Sequence, residues 1–135
     1  MSVDFSNIGP TCQKIADMQK YGREIISRWP RFYRDDLGVD IKKTIREMLR
    51  LATKARLKYY GKTTLRDLDT EKELLKVLLR EANETEFNDK RGERRKLLSD
   101  HSYGVWSAMV VEIGKLIGGW IAAIEESNKR SSNKA

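Results

Sequence analysis

From Tyr103 to Ile124 the chain reads YGVWSAMVVEIGKLIGGWIAAI, and its large apolar residues fall at Tyr103, Trp106, Val110, Ile113, Ile117, Trp120, Ile121 and Ile124. Steps of three and four residues put all of them on one face of a single helix. A helix with so wide an apolar face must be covered, which commits the rest of the chain to supplying partners for it. Only Glu112 and Lys115 are charged within the stretch. Gly104, Gly114 and Gly118 stand where Ala would favour the helix by about 1 kcal/mol each, so something must offset that loss. Gly114 and Gly118 lie four apart on one side, where another backbone can approach closely. The spacing suits packing inside one bundle and packing between subunits equally well, and Trp120 belongs to the same packing set.

At 135 residues the chain is one domain, large enough to bury a core without metal or disulfide staples. Two prolines, nine glycines and 35% charged residues suit a helical protein, and alternating β-branched or aromatic runs are missing. The single cysteine, Cys12, can form no internal disulfide and fits inert packing in a reducing compartment. The N-terminus shows no basic region followed by an apolar run, and no apolar stretch reaches about 18 residues. The expectation is therefore a cytoplasmic protein without a membrane partner.

In order, residues 1–10 read as a flexible leader, 11–124 as four helices and 125–135 as a disordered polar tail. Thr11 can cap a first helix with Ile15, Met18, Gly22, Ile25, Ile26 and Trp29 inward, ended by Pro30. After a turn, Leu37, Ile41, Ile45, Met48, Leu49, Ala52 and Ala55 form the stripe of a second helix closed by Gly61. Leu65, Leu68, Leu74, Leu75, Leu78, Leu79 and Ala82 mark a third, whose acidic first half suits the positive end of a helix dipole. Residues 84–96 have no apolar stripe and read as an exposed linker or a frayed helical extension. Ser99 or Asp100 can cap the fourth helix. Short connections between long helices predict an all-α, up-down-up-down four-helix bundle.

The charge is unevenly spread. The whole chain carries +7, a bias towards acidic partners such as nucleic acid. Residues 30–61 hold nine Lys and Arg against four Asp and Glu, while residues 62–87 hold five against seven. Within the second helix Lys42, Arg46, Arg50, Lys54 and Lys58 recur every fourth residue, a column about 24 Å long. Like charges at that spacing oppose the helix by a few tenths of a kcal/mol per pair (roughly 0.2–0.5). A solvated face pairing sideways with Asp40, Glu47 or the acidic third helix would explain the column, and so would phosphates. A second basic cluster, Lys90, Arg91, Arg94, Arg95 and Lys96, favours phosphates, with Arg31 and Arg34 as further candidates at the turn before the second helix. No base-reading motif, zinc spacing or RNP-like strand is visible, so such binding is expected to be non-specific.

No catalytic set emerges. His101 is the single histidine and lacks ligands at metal spacing. Asp35 and Asp36 suit a helix start better than a metal. GGW lies inside an apolar helix and not in a phosphate loop. Trp29, Trp106 and Trp120 all fall on apolar stripes. No cofactor, metal or small-molecule substrate is expected.

The segment WPRFYRDDLG, Trp29 to Gly38, resembles the aromatic-Pro-Arg, Arg, Leu-Gly signature that starts helix two in the accessory variability determinant proteins of diversity-generating retroelements. EIGKLIGGW, Glu112 to Trp120, is similar to that family's last-helix motif, and the resemblance spans about residues 15–124. The insert at Asn88–Lys96 is longer than the family's usual turn, and Phe32-Tyr33 stand where polar residues are commoner. The resemblance implies a basic four-helix protein that forms a homopentameric ring, binds the reverse transcriptase and contacts template-repeat RNA, with DNA as a further possible partner. It implies a non-enzymatic role in mutagenic retrohoming, with errors at adenines. Two other readings remain. One is the four-helix proteins of ribosomal RNA intervening sequences, against which the GGW ending argues. The other is a pure assembly scaffold in which basic and acidic helices meet around a ring.

Overall fold

Proline is well tolerated in the first turn of a helix, where its missing N–H would have no partner, and the first helix begins there. The computed structural model describes residues 9–57 and 61–133. α1 spans Pro10–Ile26 with Gly9 as its N-cap. Thr11, expected as the cap, lies inside the helix and is buried, because Pro10 moves the start one residue upstream, into the segment read as leader. The Ser27 hydroxyl donates to the Glu24 carbonyl at 2.6 Å where α1 ends. Pro30 then leads into a five-residue helix, α2 (Arg31–Asp35), where the sequence suggested only a turn. The Asp36 backbone breaks from helical geometry, with φ −111° and ψ −95°. Its carbonyl accepts from the Val39 and Asp40 amides and starts α3, Leu37–Leu57.

α4 spans Lys62–Glu84, with Gly61 as its N-cap. Of residues 84–96, read from sequence as an exposed linker or frayed helix, Glu84 ends α4 and the rest contain instead a small antiparallel hairpin. β1 (Glu86–Asn88) pairs with β2 (Arg94–Lys96) in the register Phe87 opposite Arg95. Gly92 at φ +82° makes the reversal, a conformation that glycine adopts without steric cost. Asp89 ties the turn, accepting from the Arg91 and Glu93 amides and from Arg95. α5 spans Asp100–Asn133, and Ser99 caps it by accepting from the Ser102 amide.

α1 packs on α3 and α5, and α4 packs on the same two, so four long helices enclose one core. Its centre is Ile15, Met18 and Ile26 of α1, Ile41, Ile45 and Met48 of α3, Leu65, Leu68, Leu75 and Leu79 of α4, and Trp106, Val110, Ile113 and Ile117 of α5. These are the expected stripes, except that Leu74 is 45% exposed. Each fully buried aliphatic side chain contributes about 1.5–3 kcal/mol. The tightest fit joins α1 to α5. A Cβ on Gly22 would lie 2.6 Å from Cζ2 of Trp106, so the indole occupies the space where a side chain would stand. Tyr21 meets the same ring edge-on at 5.8 Å.

α5 exceeds its expected end at Ile124. No Gly or Pro interrupts residues 125–133, and local pairs support the extension: Lys62 to Glu125 at 3.0 Å and Arg130 to Glu126 at 3.4 Å. By length and composition alone α5 could cross a membrane, contrary to the expectation that no apolar stretch is long enough. Its Trp106, Val110, Ile113 and Ile117 face the core, and Val105, Met109, Val111, Leu116 and Ile121 supply much of its remaining apolar character.

Candidate nucleic-acid interface

α3 is buried along one side and charged along the other because its apolar residues keep the helical period while Lys and Arg fill the remaining positions. Lys42, Lys43, Arg46, Arg50 and Lys54 are all exposed. A cleft brings Lys42, Lys43, Arg46 and Arg50 together with Arg23 of α1, against only Glu47 and Glu71. Arg23 and Lys43 were missed in sequence, Arg23 because it sits on another helix and Lys43 because it falls outside the four-residue repeat. Further along, Leu49 and Leu57 form an apolar floor between Arg46, Arg50 and Lys54. Lys58 lies outside the described residues.

Sideways neutralisation would have explained this column without a ligand. Among the described residues the only ion pair made by Lys42, Lys43, Arg46, Arg50 or Lys54 is Arg50 with Glu47 at 3.5 Å. Of the α4 acids, Glu71 borders the cleft without an ion pair among the described residues, while Asp69, Glu73 and Glu84 are engaged on their own helix. Asp69 and Glu73 both hold Lys72, at 2.7 and 3.2 Å, and Glu73 also reaches Lys76. Partial burial alone would lower the Lys72 pKa, but the hydrogen bonds it donates to Asp69 and Glu73 outweigh that and hold the ammonium above the ordinary lysine range. Among the described residues the repulsion along α3 is therefore left largely without ion pairs.

The other cations are divided. Arg31 pairs with Asp35 at 3.5 Å, whereas Arg34, half-buried, has no ion pair among the described residues. In the hairpin, Arg94 pairs with Glu86 at 3.6 Å, and Arg95 with Asp89 at 2.6 Å and Glu93 at 3.6 Å. The Arg95 guanidinium, followed by the Glu93 amide, holds the Asp89 carboxyl below the ordinary carboxylate range. Arg94 and Arg95 thus brace the hairpin, and Arg91, at its turn, has no ion pair among the described residues.

The glycines of α5 separate in the same way. A Cβ on Gly114 would lie 3.2 Å from Nζ of Lys72, so this glycine seats a lysine. Gly118, Gly119 and Gly104 have nothing within 4 Å of a Cβ; close packing within the bundle does not account for Gly118. Trp120 is half-buried against the core. Val111 of α5 and Leu74 and Val77 of α4 are exposed.

Among the described residues no three His, Cys, Asp or Glu are placed to hold a metal ion. Asp35 is engaged with Arg31, Asp36 shapes the start of α3, and His101 is exposed at the start of α5. Cys12 is buried, which pushes its thiol pKa up and makes it a poor nucleophile.

Fold and surface together define a small, basic, mostly helical protein with a column of cations on α3 and a second basic cluster in the hairpin. The chain belongs to the bAvd-like family, which matches it over residues 11–124, as expected of a bacterial accessory variability determinant protein. Comparison with curated proteins gives no match.

Proposed function

We propose that this chain is a non-catalytic accessory subunit of a diversity-generating retroelement reverse transcriptase, binding the polymerase and its template-repeat RNA so that mutagenic cDNA synthesis and retrohoming proceed. The observation that carries the reading is the α3 face, where Lys42, Arg46 and Lys54 have no ion pair among the described residues and Arg23 and Lys43 join the same cleft. Phosphates relieve that repulsion and release counterions on binding. Family membership supports an accessory role, located in the cytoplasm.

The helix order is read as up-down-up-down, supported by Lys62 meeting Glu125 and Asn83 meeting Asp100 at opposite ends of α4 and α5. Assembly into a homopentameric ring is part of the proposal. Gly118 and Gly119 give up about 1 kcal/mol of helix propensity each without an intramolecular contact in return, and a second copy close to α5 would supply one.

The test combines polymerase, template RNA and this protein with labelled nucleotide. Template-primed synthesis should require the protein, and the protein alone should polymerise nothing. Replacing Arg46, Arg50 and Lys54 together with Gln keeps helix propensity, so thermal stability should hold. The slope of log affinity against log salt should fall by about 2 on single strands, at ~0.7 per lost phosphate contact. Unchanged RNA binding in that variant would assign the column to solvent.

A further inference from the structure

α2 has five residues and no fully buried one, so filling the core does not account for it. What it presents is Phe32, 72% exposed, between Arg31 and Arg34. The ring is held in place: Tyr33 meets it edge-on at 5.1 Å, and Tyr33 in turn leans on Phe87 of β1 at 6.1 Å. Three aromatic rings thus run from solvent into the crevice between α2 and the hairpin. Phe87 and Pro30 also wall a cavity of about 200 Å³ rimmed by Arg28 and Lys96, which has room for a flat ring.

The cations at this corner are available. Arg34, Lys90 and Arg91 have no ion pair among the described residues, and the pairs Arg28–Glu24 and Arg31–Asp35 are exposed, at 3.4 and 3.5 Å. Exposed pairs of that kind are worth little, and a phosphate can displace them. Lys96 is held more firmly, by Asp100 at 2.8 Å. Protein interfaces enrich aromatic rings and arginine alike; what favours a polyanion here is the surplus of cations that are unpaired or only weakly paired among the described residues. Aromatic faces beside cations are what unpaired bases use, each base stacking while its phosphates track the charge. A base locked inside a duplex cannot offer its face.

We infer that Phe32, braced by Tyr33 and Phe87 and flanked by Arg31 and Arg34, is a stacking platform for unpaired nucleotides, distinct from the α3 column. The inference rests on the nucleic-acid reading above and adds that part of the bound strand is single-stranded at this corner.

Affinity is measured by fluorescence anisotropy with a labelled 12-nucleotide oligoadenylate and with a 12-base-pair RNA duplex, across a salt series. Phe32→Ala should weaken single-strand binding about 5- to 30-fold, the size of one stacked base. Its salt slope should be unchanged and its duplex affinity should stay within about twofold, since no charge is lost. Phe32→Trp should restore the single-strand affinity. Wild type that binds the oligoadenylate while Phe32→Ala binds it equally well would overturn the platform and leave the α3 reading standing. Loss of polymerase binding or a change in subunit mass in Phe32→Ala, with RNA affinity intact, would make Phe32 a protein contact and overturn it as well. A wild type that binds neither probe would overturn the α3 reading together with this one.

Discussion

Replacing Gly22 with Ala tests the closest packing in the bundle. In open helix the change favours folding by about 1 kcal/mol. Here the new Cβ would stand 2.6 and 2.7 Å from Cζ2 and Cη2 of Trp106, where carbon atoms normally rest at about 3.5–4.0 Å. One side must give by about 1 Å. Trp106 is 0% exposed and is held edge-on by Tyr21, so the shift passes to α1 or α5 as a whole. Overpacking of this kind costs about 1–3 kcal/mol. Gly104→Ala is the matched control, because nothing lies within 4 Å of its Cβ and the propensity gain is the same. The difference between the two variants isolates the overpacking cost, about 1–3 kcal/mol. Urea unfolding followed by circular dichroism, repeated at several protein concentrations because assembly shifts apparent stability, reads that difference. Trp106→Phe removes the colliding edge of the indole and should rescue Gly22→Ala in a double-mutant cycle. Gly22→Ala proving as stable as Gly104→Ala, or no coupling to Trp106→Phe, would refute the argument.

Gly118→Leu should leave the isolated subunit folded, since the site is open, and should lower the assembled mass in light scattering; a monomeric wild type at micromolar concentration would remove the case for assembly at this face. Acidification should loosen the hairpin. The Asp89 pKa is held below its ordinary value by Arg95 and the Glu93 amide, so its contribution is present above the unfolded carboxylate pKa and is lost as pH falls through the folded one. Protection of the Arg91 and Glu93 amides, taken relative to the intrinsic exchange rate at each pH, should fall over that acidic window, and Asp89→Asn should show reduced protection already at neutral pH.

The four long helices were legible because the burial of their residues follows the period of 3.6 that the sequence carries, as with Ile41, Ile45, Met48 and Ala52 on α3. The hairpin was not. Its strands are three residues long and β2 is Arg-Arg-Lys, exposed throughout, so no alternation of apolar and polar residues could announce it. The available signal was local: Asp89 followed three residues later by Gly92, with Thr85 and Phe87 ahead of them. The end of α5 is less legible, because residues 125–133 are polar throughout and carry no apolar stripe, and only the helix-supporting spacing of Glu126 and Arg130 marks the extension. The α3 column was visible as a repeat, but Arg23, from a helix distant in sequence, could join it only after folding.

Asp69 and Glu73 of α4 are held by Lys72 and Lys76 of the same helix, and this has a consequence for encounter rather than for affinity. With these two acids paired on α4 and positive charge left open on α3, the domain presents an asymmetric field. An approaching polyanion is turned towards α3 before any contact forms, and such steering speeds association by 10-fold or more at low ionic strength, on the order of the usual 10- to 1,000-fold range. Salt should therefore act on the association rate as well as on the equilibrium. The orientation is set while the molecules are still about a Debye length apart, ~8 Å at physiological ionic strength.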